Sequence, residues 1–270
     1  MALRFYQDAY SRSNVVDDNE GKAKAILGMI KSNQLSGDTF HADSLMVKLF
    51  ELSAGNGSLK RYRIEAEAFL AFQKQQSAKL QSLFIESTST EQPIETSMLV
   101  ASWLLFSNDQ NKVNSDTNTA GFIQKNYSGL KWLYTKGRLE NDETPATAAY
   151  ALGYLFYNEG ENTKAEQYLN EALSVDQAVQ NSKGVADDCW LLGKLNFKLL
   201  QFEQSGQSFI AANEVYSAIG DTSMANLSEA MGLIAAYKAT PNAQTKSIVE
   251  QLYKRSASAE VRYAIKRWVQ

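Results

Sequence analysis

Apolar residues along the chain recur at spacings of three, four and seven. Leu152, Leu155 and Phe156 form one such set, and Ala165, Leu169 and Ala172 another. Such spacing marks one face of an α-helix. No long stretch alternates apolar and polar residues with β-branched enrichment, so strands find no support. The spacing predicts a chain that is helical nearly throughout, with about fourteen helices in antiparallel pairs. The three prolines sit where helices are expected to begin. Thr144-Pro145 and Thr240-Pro241 read as a Thr N-cap with Pro in the first turn, and Gln92-Pro93 precedes an apolar run. The missing N–H removes no helical bond there. Gly37 and Gly160 fall between helical stretches, where glycine takes the left-handed conformation that ends a helix. The polar stretch 107–119 reads as the longest loop and the one candidate domain boundary. Helical spacing resumes straight after it with Phe122, Tyr127, Leu130 and Leu133, which argues against independent domains.

The pattern repeats. Gly153, Gly193 and Gly232 recur at spacings of 40 and 39, each preceded seven positions earlier by alanine: Ala146, Ala186 and Ala225. Ala165, Leu169 and Ala172 match Ser205, Phe209 and Ala212 one period on. Ala23, Gly37, Ala42, Met46 and Leu49 lie 123 residues before Ala146, Gly160, Ala165, Leu169 and Ala172, and 123 is three periods of 41. Two further units therefore fit between them by length, without matching residues. A two-helix unit cannot bury its apolar face alone, and stacked units make one continuous core. Small residues at the crossings let paired helices approach to about 8–10 Å.

The stretch Leu152-Gly153, Phe156, Gly160, Ala165, Leu169 and Ala172 resembles the tetratricopeptide repeat, in the subtype with a longer period of 39–40 residues. The turns at Asn181–Ala186 and Gly220-Asp221 are similar to the acidic, Gly-containing turn of that subtype. Leu200 departs from the pattern where Gly37 and Gly160 stand, and Ser205 where alanine stands. The resemblance covers residues 146–235, and more loosely 2–50. It implies an all-α fold, an α-α superhelix of about six to seven helical hairpins forming one solenoid over 1–270. Within it 1–56 is an N-terminal repeat region, 57–140 holds degenerate repeats, and 141–270 holds the clear units and a terminal helix. It also implies a soluble bacterial protein of the cytoplasm or periplasm, a setting that includes exported lipoproteins. Ala2, Tyr6 and Ala9 lie 40 residues before Ala42, Met46 and Leu49 and so match the second helix of a repeat whose first helix is absent. The expectation is a trimmed chain that self-associates through its N-terminal edge.

Charge and composition narrow the chemistry. The 270 residues carry 27 basic and 30 acidic side chains, a net charge of −3, which argues against a nucleic-acid footprint. One cysteine, Cys189, and one histidine, His41, leave no disulfide and no ordinary zinc site. The longest apolar run, Met98 to Phe106, is nine residues, well short of the roughly 20 that span a bilayer. No phosphate-binding loop occurs, and Gly55-Asn56-Gly57 reads as an interhelix turn. His41 is expected on the surface at a helix start, and Cys189 as a buried, inert thiol. The adjacent pairs Asp17/Asp18 and Asp187/Asp188 are expected at solvated faces or helix starts, since sequence neighbours on a helix do not face each other. No enzyme, cofactor or metal is expected.

The remaining signal is aromatic. With Leu152 and Phe156 facing the core, Tyr150, Tyr154 and Tyr157 form a stripe beside them, and a shift of 40 lands on Trp190, Lys194 and Phe197. In the resembled family the first helices of the repeats line a concave surface. These six residues would then form a binding wall with exposed ring area, fading at Glu229, Leu233 and Ala236 in the next unit. Aromatics dominate binding hot spots, although the same spacing also suits rings packed inward. The expected function is an interaction scaffold holding a peptide or protein segment. The alternative is a ligand-sensing domain that binds a small molecule in a pocket enclosed by neighbouring repeats or by residues 107–119. Lys254, Arg255, Arg262, Lys266 and Arg267, with Val261, Ile265 and Trp268, make a terminal amphipathic helix. It reads as a cap with a polar outer face or as a surface for membrane or acidic partners.

Overall fold

The computed structural model describes residues 2–89, 93–110, 117–139 and 143–269, and among these every regular element is helical. The first compact unit, Met1–Leu139, holds α1 (Ala2–Val15), α2 (Asn19–Leu35), α3 (Thr39–Ser53), a 3₁₀ turn (Gly57–Leu59), α4 (Lys60–Gln73), α5 (Ser77–Ser89), α6 (Ile94–Gln110) and α7 (Thr117–Thr135). The second unit, Glu140–Gln270, holds α8 (Thr144–Glu159), α9 (Asn162–Ala178), α10 (Ser182–Lys198), α11 (Phe202–Ile219), α12 (Thr222–Ala239), α13 (Ala243–Arg255) and α14 (Ala259–Val269). Within each unit consecutive helices pack on one another, and alternate helices such as α2 with α4, α8 with α10 and α12 with α14 also touch. This is the packing of an all-α solenoid.

The helix boundaries follow from one recurring turn. Asp17, Gly37, Gly55, Gln75, Gly137, Gly160, Gln180, Leu200 and Gly220 adopt positive φ. From 160 to 220 they fall every 20 residues, and 17 to 37 and 55 to 75 keep the same step. At all of these turns except Gly55, the N–H of the next residue donates to the carbonyl five positions back, at 2.8–3.0 Å. That bond satisfies a carbonyl the helix end would leave unpaired. The same residue often starts the next helix. Asp18, Asp38, Asn181 and Asp221 accept from the backbone N–H of Gly21, His41, Gly184 and Met224. Leu200 stands at φ 61° with a side chain, where its counterparts Gly37 and Gly160 carry none.

Small residues set the close contacts within hairpins. A Cβ on Gly153 would sit 2.7 Å from Leu169, and one on Gly193 would sit 2.7 Å from Phe209. Ala146, Ala165, Ala172, Ala186 and Ala212 are fully enclosed. Ser205, the replacement for alanine, donates its hydroxyl to the Gly193 carbonyl at 2.9 Å. The polar substitution is thereby satisfied inside the hairpin.

Several boundaries differ from expectation. Thr144 is the first helical residue of α8 rather than its cap, and its hydroxyl is buried. Thr240 ends α12, and Asn242 caps α13 through a reciprocal pair with Thr245. In each case the cap lies one or two residues from the Thr because Pro occupies the second helical position or precedes the true cap. Much of the expected 107–119 loop is helical, since α6 continues to Gln110 and α7 begins at Thr117. Residues 111–116, like Gln92, lie outside the described residues. At the N-terminus Tyr6 packs directly over Gly28 of α2, while Phe5 stays 69% exposed. No described helix is long and apolar enough to cross a membrane.

The glycine contacts yield a graded test. Gly153→Ala and Gly193→Ala are expected to destabilise by about 1–3 kcal/mol through overpacking. Gly232→Ala meets nothing closer than 3.7 Å and is expected to be neutral or to gain up to about 1 kcal/mol of helix propensity. Leu200→Gly should stabilise by about 1 kcal/mol by removing a left-handed Cβ. Urea unfolding of the four variants checks the order.

Candidate functional site

The second unit carries a groove of about 1170 Å³. It is built mainly on alternate helices, the first members of successive hairpins. From α8 comes Tyr157. From α10 come Trp190, Lys194, Phe197 and Lys198, with Leu200 and Phe202 at the following turn. From α12 come Met224, Leu227, Met231 and Lys238. The far wall is α14, through Ala259, Glu260, Tyr263, Ala264 and Arg267. The lining is mostly apolar, and Leu200 and Tyr263 at its edge are 72% and 65% exposed.

Its cations converge on one ring. The Lys194 and Lys198 ammonium groups lie 5.2 and 4.8 Å from the Tyr157 ring centroid. Lys198 also donates to the Tyr157 carbonyl at 2.9 Å. Partial burial raises the Tyr157 phenol above its ordinary value, and the nearby Arg267 guanidinium opposes this. Arg267 on α14 is therefore within electrostatic reach of α8.

The six residues of the predicted stripe divide. Tyr157, Trp190, Lys194 and Phe197 line the groove. Phe197 is only 6% exposed and belongs to the core around α12, so it floors the groove rather than projecting into it. Trp190 is half-buried and tilts against Phe209, with ring centroids 5.1 Å apart. Tyr150 and Tyr154 are absent from the lining. Burial, and then the neighbouring Asp187 and Asp188, push the Tyr150 phenol well above its ordinary range. On α12 the groove uses Met224, Leu227 and Met231 rather than Glu229, Leu233 and Ala236. The contribution of α14 was hidden from repeat reasoning, because α14 follows the shorter helix α13 and breaks the period. Its signal was the terminal cluster of basic residues. Val261, Ala264 and Ile265 seat it on α12 and leave Tyr263 and Arg267 outward. The side chain of Trp268 lies outside the described residues.

Asp187 and Asp188 are not both solvated. Asp187 accepts from the buried Tyr216 hydroxyl at 2.6 Å and from Lys183 at 2.5 Å. Asp188 is fully enclosed in mid-helix, and no N–H or O–H donor among the described residues reaches its carboxyl oxygens. Its neighbour is the carboxyl of Asp176 on α9, which accepts from Asn181 at 2.9 Å. Two carboxyls hydrogen-bond only when one keeps its proton. Burial, reinforced by the charges of Asp176 and Asp187, pushes Asp188 up to about 10, so it is held as the neutral acid. Burial likewise lifts Asp176 to about 6. Cys189 is also buried, which raises its thiol to about 11 and leaves it unreactive.

In the first unit a smaller cavity of about 420 Å³ borders His41. His41 is exposed and pairs through Nδ1 with Asp38 at 2.7 Å, the residue that caps its own helix. Asp18 likewise caps α2, and Asp17 pairs with Lys22 at 2.6 Å. No cluster of three or more metal-ligating side chains occurs among the described residues.

The carboxyl pair sets a pH dependence. The folded chain holds a proton on Asp188 that the unfolded chain releases near pH 4. The stability from this group is complete below about pH 4 and is lost as pH rises toward about 10. Asp188→Asn keeps the shape and the donor without the ionisation. Its melting temperature is expected to exceed that of the parent chain at about pH 9 and to approach it at about pH 5. Thermal unfolding across that range checks the convergence.

No protein-family model and no curated protein matches the sequence. In fold the chain is similar to BtubC (BKLC) from P. vanneervenii, with a TM-score of 0.50 and 16% identity over 100% of this chain and 92% of that one.

Proposed function

We propose that this chain is a non-enzymatic binding scaffold of the tetratricopeptide type, whose groove over α8, α10, α12 and α14 holds a peptide segment of a partner protein. The observation that carries the reading is the groove itself, a mostly apolar trough built on the first helices of successive hairpins and edged by aromatic rings. Its volume of about 1170 Å³ lies beyond the range of about 300–1,000 Å³ usual for small-molecule pockets. That favours a chain segment over the small molecule of a sensing domain. The small-residue contacts at Gly153 and Gly193, at a 40-residue period, support the repeat assignment.

Peptide selection from a random phage-displayed library on the full chain tests the reading. Tyr157→Ala and Tyr263→Ala should each weaken selected peptides roughly tenfold. Tyr263→Ala should do so without lowering stability, because its ring is mostly exposed. Trp190→Ala is a poorer probe, since loss of its packing on Phe209 should cost about 3 kcal/mol of stability. Failure to select any peptide, or affinities unmoved by both tyrosine variants, would reject the scaffold.

A further inference from the structure

The cavity of about 420 Å³ in the first unit is floored by one helix and rimmed by two. Ile26, Met29 and Asn33 of α2 lie at its base, all buried. α1 and α3 both pack on α2 and supply the rim. The three floor positions share one helix face, where a packed hairpin calls for apolar side chains. Asn33 breaks that pattern. It is 5% exposed, and its side-chain amide has no hydrogen-bond partner among the described residues. An enclosed amide without a partner is unfavourable, so a ligand that pairs with it gains from the site. The repeat register shows what fills this place elsewhere. A shift of 123 residues takes Asn33, His41 and Leu45 to Phe156, Lys164 and Tyr168. In the second unit those two rings stack with centroids 5.6 Å apart, and the Lys164 ammonium lies 5.1 Å from the Phe156 ring. The first unit has an amide and a leucine at the two ring positions, and a cavity beside them. Asparagine returns one period on as Asn196, but half-buried, so enclosure rather than residue type sets Asn33 apart.

The polar groups of the lining stand at two ends. Asn33 is at the turn end, where its carbonyl accepts from the Asp38 N–H at 2.9 Å. Asp38 itself is satisfied there, accepting from the His41 backbone N–H at 3.2 Å and pairing with His41 Nδ1 at 2.7 Å. Lys48 lines the cavity two turns further along α3, roughly 10 Å from His41 at the rise of an α-helix, and has no acidic partner among the described residues. Met29 and Leu45 lie between these ends in sequence and give an apolar middle. We propose that this cavity binds a small carboxylic acid with an apolar body and a hydroxyl at its far end, the carboxylate on Lys48, the body against Met29 and Leu45, and the hydroxyl on the Asn33 amide. The ammonium gives the carboxylate a charge-assisted hydrogen bond, about twice as strong as a neutral one. The volume lies within the range of about 300–1,000 Å³ usual for small-molecule sites. The site is separate from the peptide groove, and neither reading depends on the other.

The test is a nuclear magnetic resonance titration of the full chain, ¹³C-labelled at the methyls of its six methionines, with the Met29 signal assigned from Met29→Leu. The probes are 4-hydroxyphenylacetate, phenylacetate, which lacks the far hydroxyl, and tyramine, which carries a cation in place of the carboxylate. The hydroxy acid should shift the Met29 methyl with a Kd of about 1 mM or tighter, and phenylacetate and tyramine should each bind at least about tenfold more weakly. Lys48→Ala should weaken the hydroxy acid by roughly tenfold. Asn33→Leu should bring it down to the level of phenylacetate while leaving the fold intact, because it removes an enclosed polar group. Asn33→Phe with Leu45→Tyr copies the second unit, fills the cavity and should abolish binding. A Met29 methyl that the hydroxy acid does not move overturns the proposal, as does equal affinity for the three probes. An affinity unmoved by Lys48→Ala or by Asn33→Leu, or retained when the cavity is filled, overturns it too. Tighter binding of N-acetyl-Gly-Tyr than of the hydroxy acid would assign the site to a chain terminus and overturn the small-molecule assignment.

Discussion

A two-residue turn governs this architecture. One residue takes the left-handed conformation that stops a helix, and the next both closes the old helix and opens the new one. Asp18, Asp38, Asn181 and Asp221 do both tasks with one backbone N–H and one side-chain oxygen. A connection this short forces the following helix back alongside its predecessor. Large side chains then meet backbone across the hairpin, which is why Leu169 and Phe209 need glycine opposite them. The step of 20 residues between turns also fixes helix length, and with it which side chains reach the same level in every second helix. The groove is a consequence of that register, because α8, α10 and α12 present corresponding turns to one side.

The helical content and the hairpin period were legible because both rest on local chemistry repeated many times. Gly153, Gly193 and the buried alanines advertise close approach, and Gly37, Gly160 and Gly220 advertise the turn. The degenerate middle was legible only in length. Gln75 takes the left-handed conformation there with no glycine to announce it, as do Gln180 and Leu200 elsewhere. A satisfied carbonyl and a paired next helix outweigh a Cβ cost of about 1–2 kcal/mol. A sequence pattern keyed to glycine misses such turns, although the backbone at Gln75, Gln180 and Leu200 closes with the same bond as at Gly37 and Gly160.

The candidate site was legible in part. A shift of one period correctly relates Tyr157 to Phe197 and Tyr150 to Trp190 in sequence, but equivalent positions do not meet equivalent neighbours. Trp190 lies over Phe209, whereas Tyr150 lies close to Asp187 and Asp188 of the following hairpin. Position in the repeat sets direction, and the partner across the contact sets whether the ring lines the groove. Asp188 escaped for a related reason. Nothing local distinguishes an enclosed carboxyl from a solvated one when the group beside it, Asp176, comes from another helix. Helix α14 escaped because its place depends on Val261, Ala264 and Ile265 finding α12 after a shortened hairpin.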